Sequence, residues 1–127
     1  ANLSEYLKAG QITPETLEIL TVDLRIRKEE GEAIEYRNKL ANLRTRIDVI
    51  DHKLTEILGK RMKIDDGIGA LKKKNNVAIL QNKRWNEILS KMILQGKEFD
   101  LSEEFILKIY KAIHQESINH QKRLYDE

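Results

Sequence analysis

The chain has 127 residues, of which 35% are charged, with a net charge of +2 and no cysteine. This length predicts a single domain, and so small a net charge argues against wholesale nucleic-acid binding. The lack of cysteine excludes disulfides, thiolate metal sites and a cysteine nucleophile, and no apolar run approaches the roughly 20 residues of a membrane span, so we expect a cytoplasmic protein.

The N-terminal part predicts two helical segments. Residues Leu3 to Lys8 indicate a short helical turn. Thr13 and Pro14 then predict the start of a new helix, because threonine caps helices well and proline suits the first helical position. Segment 28–39 is nearly all polar, which indicates a solvated helix, a linker, or both.

We place a domain boundary near residue 40, with residues 1–40 as an N-terminal helical extension or linker and residues 41–127 as the main domain. The first part carries six basic and eight acidic side chains, and the second carries seventeen basic and thirteen acidic. The second part should therefore prefer an anionic partner.

A long helix is predicted from about residue 40 to Asn75-Asn76, because residues of one seam recur at steps of three and four without a break. One seam member is Arg61, and a guanidinium is costly to bury unless an anion meets it. Gly67 and Gly69 cost the helix about 2 kcal/mol in propensity, and would allow a bend or a close helix approach. The seam consists of Leu40, Leu43, Ile47, Ile50, Leu54, Ile57, Arg61, Ile64, Ile68 and Leu71.

Two further helices are predicted, at about residues 81–95 and 103–124. Gly96 is expected to end the first, and Ser102 is a good N-cap for the second. The apolar stripe of the last helix turns polar at Ser117 and Gln121. Strand-like alternation is missing throughout, so the predicted fold is all-α, with a long first helix.

Six polar side chains lie on or beside the inward stripes of these helices. Each one alone is more simply explained as a surface or packing residue. Together they predict a site for a small dianion, because helical bundles build sites from facing side chains and arginine suits carboxylates. The six are Arg44, Arg61, Lys72, Arg84, Ser117 and Gln121.

Two of these cations cannot meet within one chain if the helix is straight. Arg44 and Lys72 are 28 residues apart, which corresponds to about 42 Å along a helix.

Metal sites and the usual acid–base or nucleophilic groups are not indicated. The histidines lack ligand spacing, and the paired carboxylates fit a helix surface or a first helical turn better than an acid–base pair. Such a site suits a reaction that needs neither a nucleophile nor a general base. The groups so interpreted are His52, His114, His120, Asp65-Asp66 and Glu103-Glu104.

An ordered set of motifs over about residues 41–123 resembles the all-helical (AroQ-type, type II) chorismate mutases. The set comprises Leu43-Arg44-x-x-Ile47-Asp48-x-Ile50-Asp51-x-x-Leu54, Leu58-x-x-Arg61, Ile68-Gly69-x-x-Lys72, Arg84 and Ile113-x-x-Glu116-Ser117-x-x-x-Gln121. The resemblance implies an intertwined homodimer of three-helix protomers. It also implies conversion of chorismate to prephenate, an intramolecular Claisen rearrangement in phenylalanine and tyrosine biosynthesis, without a cofactor or a metal.

The resemblance assigns a role to each polar residue. Arg44 would reach into the partner's site, so it need not meet Lys72 of its own chain. Together with Arg61 it would hold the two carboxylates. Lys72 and Gln121 would donate hydrogen bonds to the ether oxygen. The carboxylates and ring would be oriented by Arg84 and Ser117.

One region departs from the family pattern. Trp85 stands where many members have a glutamate that binds the ring hydroxyl, and Gln81 stands where an aspartate is common. Gln81 or Glu87 would take over that contact, or the contact is missing. Some members have a glutamate in place of Gln121, which must be protonated to donate, whereas glutamine needs no proton. We therefore expect activity to stay nearly flat from mild acid to mild base.

Two alternative functions stay open at this point. An isochorismate pyruvate-lyase would share the fold and the arginine–lysine–glutamine site, and a non-catalytic helical regulatory or interaction domain would use the seam as a coiled coil. The chain begins at Ala1, which fits a domain cut from a fusion with another aromatic-pathway enzyme, such as 3-deoxy-7-phosphoheptulonate synthase.

Overall fold

The computed structural model describes Gly10 and residues 13–126. These residues form three α-helices and no strand, which confirms the predicted all-α class. The predicted turn from Leu3 to Lys8 lies outside the described residues. The helices are α1 (Pro14–Lys74), α2 (Asn82–Glu98) and α3 (Glu103–Tyr125).

Helix α1 begins where the sequence predicts. The side chain of Thr13 caps it by accepting a hydrogen bond of 3.1 Å from the backbone N–H of Thr16, and Pro14 is the first helical residue. The helix then continues through residues 28–39 without a break. This segment is therefore a solvated helix rather than a linker, and the expectation of a separate helix start near residue 40 is wrong.

The chain divides into two compact units, residues 1–51 and residues 52–127. The described part of the first unit is almost entirely α1, and many of its large apolar side chains are exposed, including Ile19, Ile47 and Ile50. The second unit contains the end of α1 together with α2 and α3. The placement of a domain boundary near residue 40 stays a prediction.

The second unit has a small apolar core and two tight connections. Met62, Ile106 and Ile118 are the buried apolar side chains. The connections contain Asn76 and Asp100, whose positive φ angles of 56° and 57° lie in the left-handed region that these two residue types tolerate.

Helix α2 extends past Gly96, contrary to the prediction that this glycine ends it. A Cβ atom at Gly96 would lie 2.7 Å from Cγ1 of Ile106, so the glycine admits a side chain of α3 rather than stopping the helix. Ser102 caps α3 as predicted, since its hydroxyl accepts a hydrogen bond of 3.2 Å from the backbone N–H of Phe105.

Helices α1 and α3 meet backbone to backbone at Gly69. A Cβ atom there would lie only 2.5 Å from the carbonyl oxygen of Gln121 and 2.7 Å from its Cα. Of the two explanations offered by the sequence, close helix approach therefore applies to Gly69. Gly67, in contrast, has open space where its Cβ would be. The close approach brings the side chain of Gln121 next to the groups on α1.

Candidate active site

A cavity of about 260 Å³ lies among the three helices of the second unit. The end of α1, the connection before α2, α2 itself and α3 all line it. Seven of the eight side chains that the sequence predicts for a site meet in this cavity, although their roles toward a substrate stay predictions. They are Arg61, Lys72, Gln81, Arg84, Trp85, Ser117 and Gln121.

The eighth predicted residue, Arg44, does not line the cavity. It belongs to the first unit and is exposed on α1. Its expected contribution to the site of a partner chain stays a prediction.

Asp65 joins the site, and the expectation that it is a surface carboxylate is wrong. Its relative exposure is only 6%, and its Oδ2 accepts a hydrogen bond of 3.1 Å from Nη1 of Arg61. The same Nη1 also donates to the hydroxyl of Ser117. Asp65 stands one helical turn after Arg61, so the guanidinium and the carboxylate reach each other across that turn. The anion that a partly buried arginine requires is thus supplied by its own helix.

Gln121 is held by groups from α1 at both ends of its amide. Its Nε2 donates to Oδ1 of Asp65 at 2.9 Å, and its Oε1 accepts from Nζ of Lys72 at 2.8 Å. Lys72 also donates to the carbonyl oxygen of Ile79 at 2.8 Å. An amide nitrogen has two N–H donors and an ammonium has three. Each of these two side chains therefore keeps one donor for a ligand.

Burial changes the proton affinity of Lys72. Loss of solvent around the ammonium lowers the pKa of Lys72 from its ordinary value of 10.5, and the nearby carboxylate of Asp65 partly opposes this effect. The fully donating ammonium form is therefore lost at a lower pH than it would be for a lysine in water.

Trp85 and His114 form a stacked pair on one side of the cavity. Their ring centroids are 4.2 Å apart and the ring planes differ by 19°. Burial lowers the pKa of His114 below its ordinary value of 6.5, and the charge of Arg61 lowers it further against the opposing effect of Asp65. The imidazole is thus neutral at pH 7. His114 therefore packs against Trp85 and also lines the cavity.

The position of His114 in the sequence already indicates that it faces the site. His114 precedes Ser117 by three positions and Gln121 by seven, which places all three on one face of α3. For Asp65 the corresponding signal was its spacing of four from Arg61.

A second polar cluster lies away from the cavity. His120 contacts Asp66 through Nδ1 at 2.9 Å and Glu116 through Nε2 at 3.1 Å, and Arg123 lies 3.5 Å from Asp66. The hydrogen bond from His120 is the main cause that lowers the pKa of Asp66. These contacts join α1 to α3.

Residues 13–126 contain neither a cluster of possible metal ligands nor a membrane-spanning helix. Within that range no group of three or more acidic, histidine or cysteine side chains is arranged to hold a metal ion. None of its helices is both long and apolar enough to cross a bilayer.

Comparison with known proteins places this chain in a family. The family model for chorismate mutase type II matches residues 43–122. A bifunctional chorismate mutase/prephenate dehydratase of Buchnera aphidicola subsp. Acyrthosiphon pisum is 34% identical over 87 residues, which are 68% of this chain and 23% of that protein. The protein of the same description from subsp. Schizaphis graminum is 33% identical over 88 residues, covering 69% of this chain and 23% of the relative. The chain therefore spans about a quarter of the length of these relatives.

No solved structure matches the chain significantly. The matched segment nevertheless covers more than half of the chain and contains every residue that lines the cavity. On this evidence the chain belongs to the chorismate mutase type II family, a family of isomerases.

Proposed function

We propose that this domain converts chorismate to prephenate by an intramolecular Claisen rearrangement, as a step in phenylalanine and tyrosine biosynthesis. One observation carries the proposal. A single cavity, inside the segment that matches the family, gathers three cations and two neutral donors. They are Arg61, Lys72, Arg84, Ser117 and Gln121.

The charge of the cavity suits this substrate. Its lining contributes three positive charges and the one negative charge of Asp65, while His114 is neutral at pH 7. The resulting excess of positive charge favours a substrate that carries two carboxylates, as chorismate does. Arg61 takes one of these carboxylates, the partner's Arg44 takes the other, and Arg84 helps to orient them, because a guanidinium offers a planar pair of donors to a carboxylate.

Lys72 and Gln121 serve the bond that breaks. Nζ of Lys72 donates to Oε1 of Gln121 at 2.8 Å, which brings the two side chains together in the cavity. In this proposal each offers its one free N–H to the same oxygen atom. Negative charge gathers on the ether oxygen as its bond to carbon breaks, and donors that meet this charge stabilise the transition state more than the ground state. The proposed rearrangement is intramolecular, so in this proposal no side chain has to act as a nucleophile or as a general base.

Confinement of the substrate in the cavity also lowers the activation barrier. The reacting ends of the flexible substrate must fold toward each other, and holding both carboxylates between α1 and α2 restricts the substrate to that shape. Restricting reactants to a reactive geometry can account for several kcal/mol of a barrier.

We also propose that two copies of the chain pair through the seam of α1, so that the partner's Arg44 completes each cavity. The supporting observation is that apolar seam residues of α1 are exposed in the single chain. They include Leu43, Ile47, Ile50, Leu54 and Ile57. The relatives are bifunctional. Their descriptions combine chorismate mutase with prephenate dehydratase, which supports our proposal that this domain is fused to or docked on another aromatic-pathway enzyme. On the basis of the sequence alone, 3-deoxy-7-phosphoheptulonate synthase is such an enzyme, and we propose, as a separate point, that the domain works in the cytoplasm.

The test follows the consumption of chorismate by the purified protein. The variant Lys72→Ala should lower kcat/KM by about a hundredfold to a thousandfold, the usual effect of losing one transition-state donor. Lys74→Ala is the matched control, because this lysine is exposed at the end of the same helix, and it should retain wild-type activity.

Product analysis separates the proposal from its nearest rival. Prephenate is the expected product from chorismate, whereas salicylate and pyruvate formed from isochorismate would indicate a lyase on the same fold. If the wild-type protein consumes neither compound, the proposed function is wrong.

A further inference from the structure

The ring hydroxyl of chorismate lacks a partner in the assignment above. The substrate has two carboxylates, an ether oxygen and one secondary alcohol on the ring. The cations take the carboxylates, and Lys72 with Gln121 takes the ether oxygen. Asp65 already accepts hydrogen bonds from Arg61 and Gln121. A hydroxyl can both donate and accept, so a group in the cavity with free capacity for both would suit it well.

His114 has this capacity. It lines the cavity on the same face of α3 as Ser117 and Gln121. Within residues 13–126, neither nitrogen of its ring has a hydrogen-bond partner, because its contact with Trp85 is a stack of ring faces. The stack leaves the ring edge, which carries both nitrogens, available to a ligand.

The protonation state of the ring also suits an alcohol. Burial and the charge of Arg61 lower the pKa of His114, so at pH 7 one nitrogen donates and the other accepts. A protonated ring would offer two donors and a positive charge, which would serve a third carboxylate rather than an alcohol.

Other neutral or acidic candidates fit less well. Gln81 lines the cavity but is exposed in the connection before α2. Glu87 does not line this cavity; it lines a neighbouring one, together with Lys91 and Tyr110.

We infer that His114, held by its stack on Trp85, binds the ring hydroxyl of the substrate and makes the site selective for substrates that carry it. This inference rests on the proposed function. Trp85 acts as the positioning residue, because it orients the imidazole through the stack without offering a hydrogen bond along its ring face.

The experiment compares two substrates and four proteins. The substrates are chorismate and an analogue in which hydrogen replaces the ring hydroxyl, both of which retain the two carboxylates and the ether bridge. The first variant, His114→Phe, keeps a flat ring against Trp85 but has no ring nitrogen, and the second, His114→Gln, restores a donor and an acceptor. The third, Gln81→Leu, removes the competing candidate, and the wild type is the reference. Circular dichroism confirms that each variant is folded.

The wild type should prefer chorismate over the analogue by about tenfold in kcat/KM, the effect of one hydrogen bond. His114→Phe should lose this preference by slowing with chorismate alone, and His114→Gln, which again offers a donor and an acceptor, should recover part of it. Gln81→Leu should keep the preference.

Several results would overturn the inference. An equal loss on both substrates in His114→Phe would show general damage to the cavity, and an unchanged preference would show that His114 does not contact the hydroxyl. Loss of the preference in Gln81→Leu would assign the contact to that residue. If the wild type consumes no chorismate, the proposed function fails first, and this inference fails with it.

Discussion

Replacing Gly69 with alanine tests whether the close approach of α1 and α3 builds the site. The new Cβ would lie 2.5 Å from the carbonyl oxygen of Gln121, 2.7 Å from its Cα and 3.0 Å from its carbonyl carbon. These are backbone atoms, which cannot rotate away. Ordinary contacts begin near 3.4 Å, so the two helices would have to separate by roughly 1 Å.

The expected magnitude follows from two opposing effects. Overpacking of this kind typically costs about 1–3 kcal/mol, while alanine regains about 1 kcal/mol of helix propensity relative to glycine. Gly67→Ala is the matched control, because it lies on the same helix with nothing within 4 Å of its Cβ position. Only the gain applies there, so Gly69→Ala should be less stable than Gly67→Ala by about 1–3 kcal/mol.

Urea unfolding followed by circular dichroism, at one fixed protein concentration, measures this difference. Activity should fall as well, because a displacement of about 1 Å at a catalytic group can cost about a hundredfold in rate. If Gly69→Ala is as stable and as active as Gly67→Ala, the helices do not need to meet at this point and the reasoning is refuted.

Three further predictions concern charged and amide groups. Asp65→Ala should lower kcat about tenfold, because it releases the amide of Gln121. Asp65→Asn keeps an acceptor and should recover most of the rate with little change in KM, and steady-state kinetics measures kcat and KM for both variants. In a pH–rate profile, wild-type activity should stay level from mild acid to mild base. It should then fall at a pH below the ordinary lysine pKa of 10.5, because the pKa of Lys72 is lowered. Gln121→Glu should instead have an acidic optimum, and an acidic optimum in the wild type would contradict the role given to Gln121. The pKa of Asp66 is lowered chiefly by His120, so the ionised carboxylate stabilises the fold at any pH above its ordinary pKa of 3.8. This stabilisation is lost as the pH falls through the lowered pKa of the folded protein. Asp66→Asn should therefore have a lower melting temperature than the wild type at neutral pH, and the two melting temperatures should converge in strong acid.

The sequence was most informative where spacing and residue type agreed. The steps of three and four along the seam predicted the second half of α1, and Thr13, Pro14 and Ser102 marked helix starts correctly. The continuation of α1 through residues 28–39 was left open, because a polar segment with no apolar stripe shows no periodicity and a linker of the same composition is indistinguishable from it.

The gathering of Lys72 and Gln121 was predictable, since both are polar residues on inward stripes. The burial of Asp65 was not predicted, because an acidic residue beside a seam is ordinarily solvated. It is buried here because Gly69 lets α3 approach, and Gln121 and Arg61 both donate hydrogen bonds to it. Such a contact between helices distant in sequence has no local pattern.

Arg61, Asp65 and Lys72 occupy one uninterrupted helix, and this has a consequence for how the chain can change length. Each added residue in a helix turns everything beyond it by about 100° and advances it by about 1.5 Å. One insertion between positions 61 and 72 would therefore swing the lysine to a different side of α1 while leaving the fold class unchanged. An insertion in this part of α1 should accordingly disrupt the site even where all three helices still form.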